Sequence, residues 1–100
     1  MLVLLPMDTA EVQTAKLTTV FDVKIWAQLR IEEGELVEVI HNTQFDAFEN
    51  FSEAVVVGSD GEPVMSFMEL NMMVLVAHTQ RTIDDIVEAY LFRELHDLAY

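Results

Sequence analysis

Apolar residues come along this chain in short blocks of differing period, and each period predicts an element. Residues 2–6, Leu-Val-Leu-Leu-Pro, are continuously apolar and stopped by proline, which predicts a short buried strand. From 24 to 32 the pattern alternates, with Ile25, Ala27, Leu29 and Ile31 on one face and Trp26, Gln28 and Arg30 on the other. Residues 36–41 alternate again, Leu36, Glu38 and Ile40 standing opposite Val37 and Val39. Glu33-Gly34 between these strands predicts a tight hairpin turn, with glycine taking positive φ. Phe45, Phe48 and Phe51 recur every three residues with polar positions between them, which predicts a helix of about two turns.

The second half alternates strand and helix. Ala54–Val57 is rich in β-branched residues and predicts a central strand ending at Gly58. The turn Gly58-Ser59-Asp60-Gly61-Glu62-Pro63 then opens a further helix, with Pro63 in its first turn and Asn71 as a left-handed closing residue. Residues 73–77 predict the last strand. Thr82 caps the final helix with Asp85 three residues on, and Ile83, Ile86, Val87, Tyr90, Leu91 and Leu95 form its apolar stripe. Arg93 and His96 fall in its last turns. The order β-β-β-α-β-α-β-α over one domain, residues 1–100, predicts an α/β fold: a mixed five-stranded sheet with helices on its faces. Residues 7–22 form a polar, threonine-rich connection, long for a compact domain, and long ordered loops often carry function.

Composition narrows the chemistry. Cysteine is absent, which removes disulfides, thiolate metal sites and thiol catalysis together. The net charge of −13 sets 18 acids against Lys16, Lys24, Arg30, Arg81 and Arg93, too few and too scattered for a nucleic-acid or anionic-membrane surface. No apolar stretch approaches the roughly 20 residues that span a bilayer. The run 2–5 is cut by Pro6 and Asp8 without a basic flank or a cleavage site, so the expectation is a cytoplasmic protein without a secretory signal.

Four segments resemble one family. They are Leu2-Val3-Leu4-Leu5-Pro6-Met7-Asp8, Leu17-Thr18-Thr19-Val20-Phe21-Asp22, the turn 58–63, and Thr82-Ile83-Asp84-Asp85-Ile86-Val87-Glu88-Ala89-Tyr90-Leu91. Together they resemble the dinitrogenase iron–molybdenum cofactor biosynthesis family, meaning NifX-like proteins and the C-terminal domain of NifB. The resemblance implies a ribonuclease H-like fold and a protein that binds or carries a metal–sulfur cluster without being an enzyme. Val20 stands where that family often has histidine, Asp22 where it often has glycine, and the turn has gained Asp60 and Glu62. The implied ligand-binding residues are Thr18, Thr19, Phe21, Asp22 and Lys24 with Gly58, Ser59, Asp60 and Gly61.

Charge bears directly on an anionic ligand. Thirteen net charges centred ~20 Å away cost roughly 2.7 kcal/mol per unit of ligand charge in unscreened water, and a few tenths at physiological salt. Local cations therefore decide, and near the first segment the sequence offers Lys24. Met65, Met68 and Met72 have the spacing of a core stripe, with Met73 starting a buried strand, which favours core filling over a copper(I) site. His41 and His78 each end a strand and approach each other only if those strands are neighbours. A two-metal nuclease needs converging carboxylates, and Asp8 stands without partners on residues 55–57 or 74–77. Two readings remain open: a cluster carrier or accessory protein, and a module acting through protein contacts, as a homodimer or with a partner, over residues 45–51.

Overall fold

A computed structural model describes residues 1–98. The elements run β1 (Leu2–Met7), β2 (Ile25–Glu32), β3 (Glu35–Asn42), β4 (Ala54–Val57), α1 (Met65–Glu69), β5 (Met73–Val76), α2 (Ile83–Leu91) and β6 (His96–Asp97). They form one mixed sheet in the order β3-β2-β1-β4-β5-β6. β1 pairs antiparallel with β2 and parallel with β4, and β4 pairs parallel with β5. The carboxyl ends of β1, β4 and β5 therefore share one edge of the sheet.

The near-continuous burial of β1 and β4 follows from their central place, since both faces are covered. On one face Val3, Leu5, Met7, Val56 and Leu75 pack against Ile83, Ile86 and Val87 of α2. On the other, Leu4, Val55, Val57, Val74 and Val76 pack with Trp26 and with Phe67 of α1. The hairpin stands, but the alternation expected of β3 does not: the register shifts between Arg30 and Ile31, Val37 has no paired residue, and Leu36 and Val39 pack against the same core. At the turn, Glu33 (φ 53°) shares the positive φ with Gly34 (φ 80°), the signature of a type I′ turn.

Several expectations are corrected. The sheet has six strands rather than five, because α2 stops at Leu91 and the chain turns back to lay His96–Asp97 against β5. Arg93 adopts φ 58°, the Glu94 N–H donates to the Ala89 carbonyl at 2.8 Å, and the Arg93 N–H donates to that of Tyr90 at 3.2 Å. That is a Schellman cap with arginine where glycine is usual.

Among the described residues there are two helices rather than three. Residues 43–53 bend without forming one. They must run from the end of β3 to the start of β4, across β2 and β1 (roughly 14 Å of sheet) and back along the strands. A seven-residue helix would advance only about 10 Å of that path. Buried Gln28 also competes for the segment, donating from Nε2 to the Asn50 carbonyl at 2.9 Å and to Ser52 Oγ at 2.8 Å. Phe45 packs edge-on with both Trp26 and Phe67, which also meet each other, while Phe51 is 88% exposed.

The methionine stripe is also shifted. Phe67 is the buried anchor of α1, Met72 is buried, and Met65 and Met73 are exposed. Asn71 does close α1 with φ 62°, but Pro63 lies one residue before the cap, Val64. Finally, β2, β1 and β4 separate His41 from His78, and the neighbour of His78 is His96, with ring centroids 6.1 Å apart.

Candidate functional site

The long connection after β1 is pinned at the carboxyl edge of the sheet. Ala15 and Leu17 are buried, the Leu17 N–H donates to the Arg81 carbonyl at 2.6 Å, and the Thr18 N–H donates to that of Pro6 at 2.9 Å. These bonds hold the connection against the residues that precede α2. Beside it, β4 ends at Val57, just before Gly58, and the Ala77 N–H donates to the Val57 carbonyl at 2.8 Å, bringing the end of β5 level with it. A polar recess of about 310 Å³ opens between them, lined by Leu17, Thr18, Thr19, Gly58, Ser59, Glu62 and Arg81.

Two charged side chains define this recess. The Arg81 guanidinium donates from Nη1 to the Ala77 and Gln80 carbonyls, both at 2.8 Å, and from Nη2 to that of His78 at 3.3 Å. Among the described residues the ion pairs are those of Arg30 with Glu32 and Glu38, so Arg81 is held by neutral acceptors. Glu62 reaches across the recess: Oε1 accepts from the Val20 N–H at 2.8 Å and Oε2 from the Gly58 N–H at 2.9 Å. A β-carbon placed on Gly58 would lie 3.4 Å from Glu62 Oε2 and 3.5 Å from Arg81 Nη2, so both charges adjoin the bare glycine.

The predicted site residues divide. Thr18, Thr19, Gly58 and Ser59 line the recess. Phe21 is 80% exposed and outside the lining, as are Lys24, Asp60 and Gly61. Asp22 turns back on its own loop, its Oδ2 accepting from Thr19 Oγ1 at 3.0 Å. Arg81, Glu62 and Leu17 are the residues that sequence reasoning left out. Arg81 had a usable signal, because it is one of five cations and directly precedes the cap Thr82. Setting the ends of two parallel strands level brings it beside Gly58, and it replaces Lys24 as the local cation.

Other groups converge less. Among the described residues no three of His, Asp or Glu are close enough to hold a metal ion. The recess offers neither thiolate nor imidazole, and its carboxylate already accepts two amides. These residues do not fit the coordination of a metal–sulfur cluster. Two larger hollows, of about 590 and 610 Å³, flank β6 and are mainly apolar, one beside Tyr90 and Leu91 and the other beside Met65 and Met68. No helix among the described residues is long and apolar enough to cross a membrane.

This is a mixed α/β sheet domain with a polar recess at its carboxyl edge. A solved structure, the crystal structure of PH0822, has the same fold: TM-score 0.72 at 16% identity, covering 98% of this chain and 96% of that one. No protein-family model and no curated protein matches the chain.

Proposed function

We propose that this chain is a small non-enzymatic binding protein whose ligand is a small anion held in the recess between the 18–24 segment and the 58–63 turn. The carrying observation is Arg81. A guanidinium fixed by three backbone carbonyls, without a carboxylate partner among the described residues, keeps its charge for a ligand. The hydroxyls of Thr18, Thr19 and Ser59 line the same space and supply donors. Ligands of open α/β sheets characteristically sit beyond the carboxyl ends of strands, which favours this edge.

The family resemblance supports the same reading at a finer level, a ribonuclease H-like domain related to carriers of metal cofactors. In this chain an anionic cluster would be held by hydrogen bonds and by Arg81, not by coordination. Elemental analysis and visible spectra of protein purified without chelators, followed by reconstitution with iron–sulfur or molybdenum–sulfur species, test the carrier form. Titration with inorganic phosphate, followed by amide NMR, tests the anion site. Binding by the wild type that R81A weakens is the expected result; absence of binding in both refutes it.

A second reading, a module acting through protein contacts, is favoured by Phe51 at 88% exposed beside Leu70 at 45%. Light scattering of wild type and F51S tests it. Self-association lost in F51S supports it, and a monomeric wild type removes the self-association form.

A further inference from the structure

We propose that the Glu62 carboxylate is a resident anion of this recess, occupying the two backbone amides at which an incoming oxoanion or carboxylate binds, so that ligand binding proceeds by displacing it. The inference rests on the anion-binding reading above. Its basis is the division of the two oxygens: Oε1 takes the Val20 N–H, one residue beyond the lining residue Thr19, and Oε2 takes the N–H of Gly58, which lines the recess. Two oxygens on one carbon satisfy two amides as two oxygens on one phosphorus or sulfur do. The Arg81 guanidinium flanks the same Gly58 position, completing a set of donors suited to an oxoanion.

The attachment of Glu62 suits displacement. Residues 59–61 are exposed and, among the described residues, make no hydrogen bond with the rest of the domain. Removing the carboxylate from the amides therefore frees a short surface turn and leaves the sheet untouched. Val20 and Gly58 would otherwise keep partly buried N–H groups without an acceptor, so the exchange requires a ligand that replaces both bonds. That requirement selects anions with at least two oxygens over halides and over neutral ligands.

The test titrates the full chain as wild type, E62Q and E62A with inorganic phosphate and with sulfate, reading the Val20 and Gly58 amide resonances. E62A is expected to bind about tenfold or more tightly than wild type, the worth of one charge-assisted hydrogen-bond partner no longer in competition. E62Q keeps an acceptor without the charge and falls between the two; it also serves should E62A fail to fold. Binding by wild type that neither variant tightens overturns displacement and leaves the anion site standing. No binding by any of the three folded proteins overturns both. A Val20 resonance unmoved on binding, with Arg81 perturbed, also overturns displacement.

Discussion

Replacing Phe45 with leucine separates two accounts of residues 43–53. In the fold, the Phe45 ring lies 5.0 Å from Phe67 and 5.8 Å from Trp26, edge-on to both, and those two rings are 5.8 Å apart. Leucine keeps most of the apolar contact and removes both aromatic pairs. Each pair is worth about 0.5–1.5 kcal/mol beyond its buried area, so F45L should cost about 1–3 kcal/mol. For a domain of this size that lowers Tm by roughly 4–24 °C. F51L is the control: Phe51 is 88% exposed, and its substitution should stay within about 0.5 kcal/mol. Thermal and urea unfolding of the two variants beside wild type measure the difference. Were residues 45–51 one amphipathic helix, as the three-residue spacing predicts, both positions would lie on its buried face and the losses would be similar. Equal losses, or an F45L protein as stable as wild type, refute the edge-on packing.

Three further outcomes follow from single positions. Q28A strips two hydrogen bonds from a side chain only 2% exposed and leaves the Asn50 carbonyl and the Ser52 hydroxyl without a partner; urea unfolding should show a loss of about 2–3 kcal/mol. R93G relieves a left-handed arginine at φ 58° in the cap of α2 and should raise stability by about 1 kcal/mol, read as a higher denaturation midpoint at unchanged slope. G58A adds a methyl at ordinary contact distance from Glu62 and Arg81, so unfolding should stay within about 1 kcal/mol of wild type while phosphate binding weakens.

Where burial alone set the structure, the sequence was readable. Ala27, Leu29 and Ile31 face one core and Trp26 the other, and the valines of β4 likewise need only two covered faces. The cap of α2 was equally local, since the Thr82 hydroxyl accepts from the Asp85 N–H at 3.1 Å within one turn. Residues 43–53 were not local. Their path is dictated by strand order and by a glutamine two strands' length away in sequence, so a three-residue spacing of phenylalanines gave the wrong element. β6 was hidden because two residues have no periodicity, and its place depends on a left-handed arginine that no propensity favours. The recess was half legible for a related reason. Its hydroxyls and glycine lie on the segments that pattern singled out, whereas Arg81 and Glu62 reach it through parallel pairing and a side chain folding back on its own turn.

The acidity of the chain bears on the recess less than its size suggests. The domain measures 30 × 28 × 24 Å, so a ligand at the edge stands ~15 Å from the centre of the net −13 charge. At that distance the whole charge opposes each unit of ligand charge by roughly 3–4 kcal/mol unscreened, and by about half a kcal/mol once salt with a Debye length of about 8 Å intervenes. A single carboxylate ~4 Å away opposes it by about 1 kcal/mol in water and by roughly 4 kcal/mol at the effective dielectric of a protein surface, and salt removes less than half of so short an interaction. At the lower dielectric Glu62 therefore outweighs the screened net charge of the whole domain. E35Q, which removes an exposed charge at the start of the edge strand β3, should leave phosphate affinity unchanged within about twofold. E62Q should move it by far more. If the two substitutions moved it equally, the field of the whole surface would govern the recess, and the local balance between Arg81 and Glu62 would not.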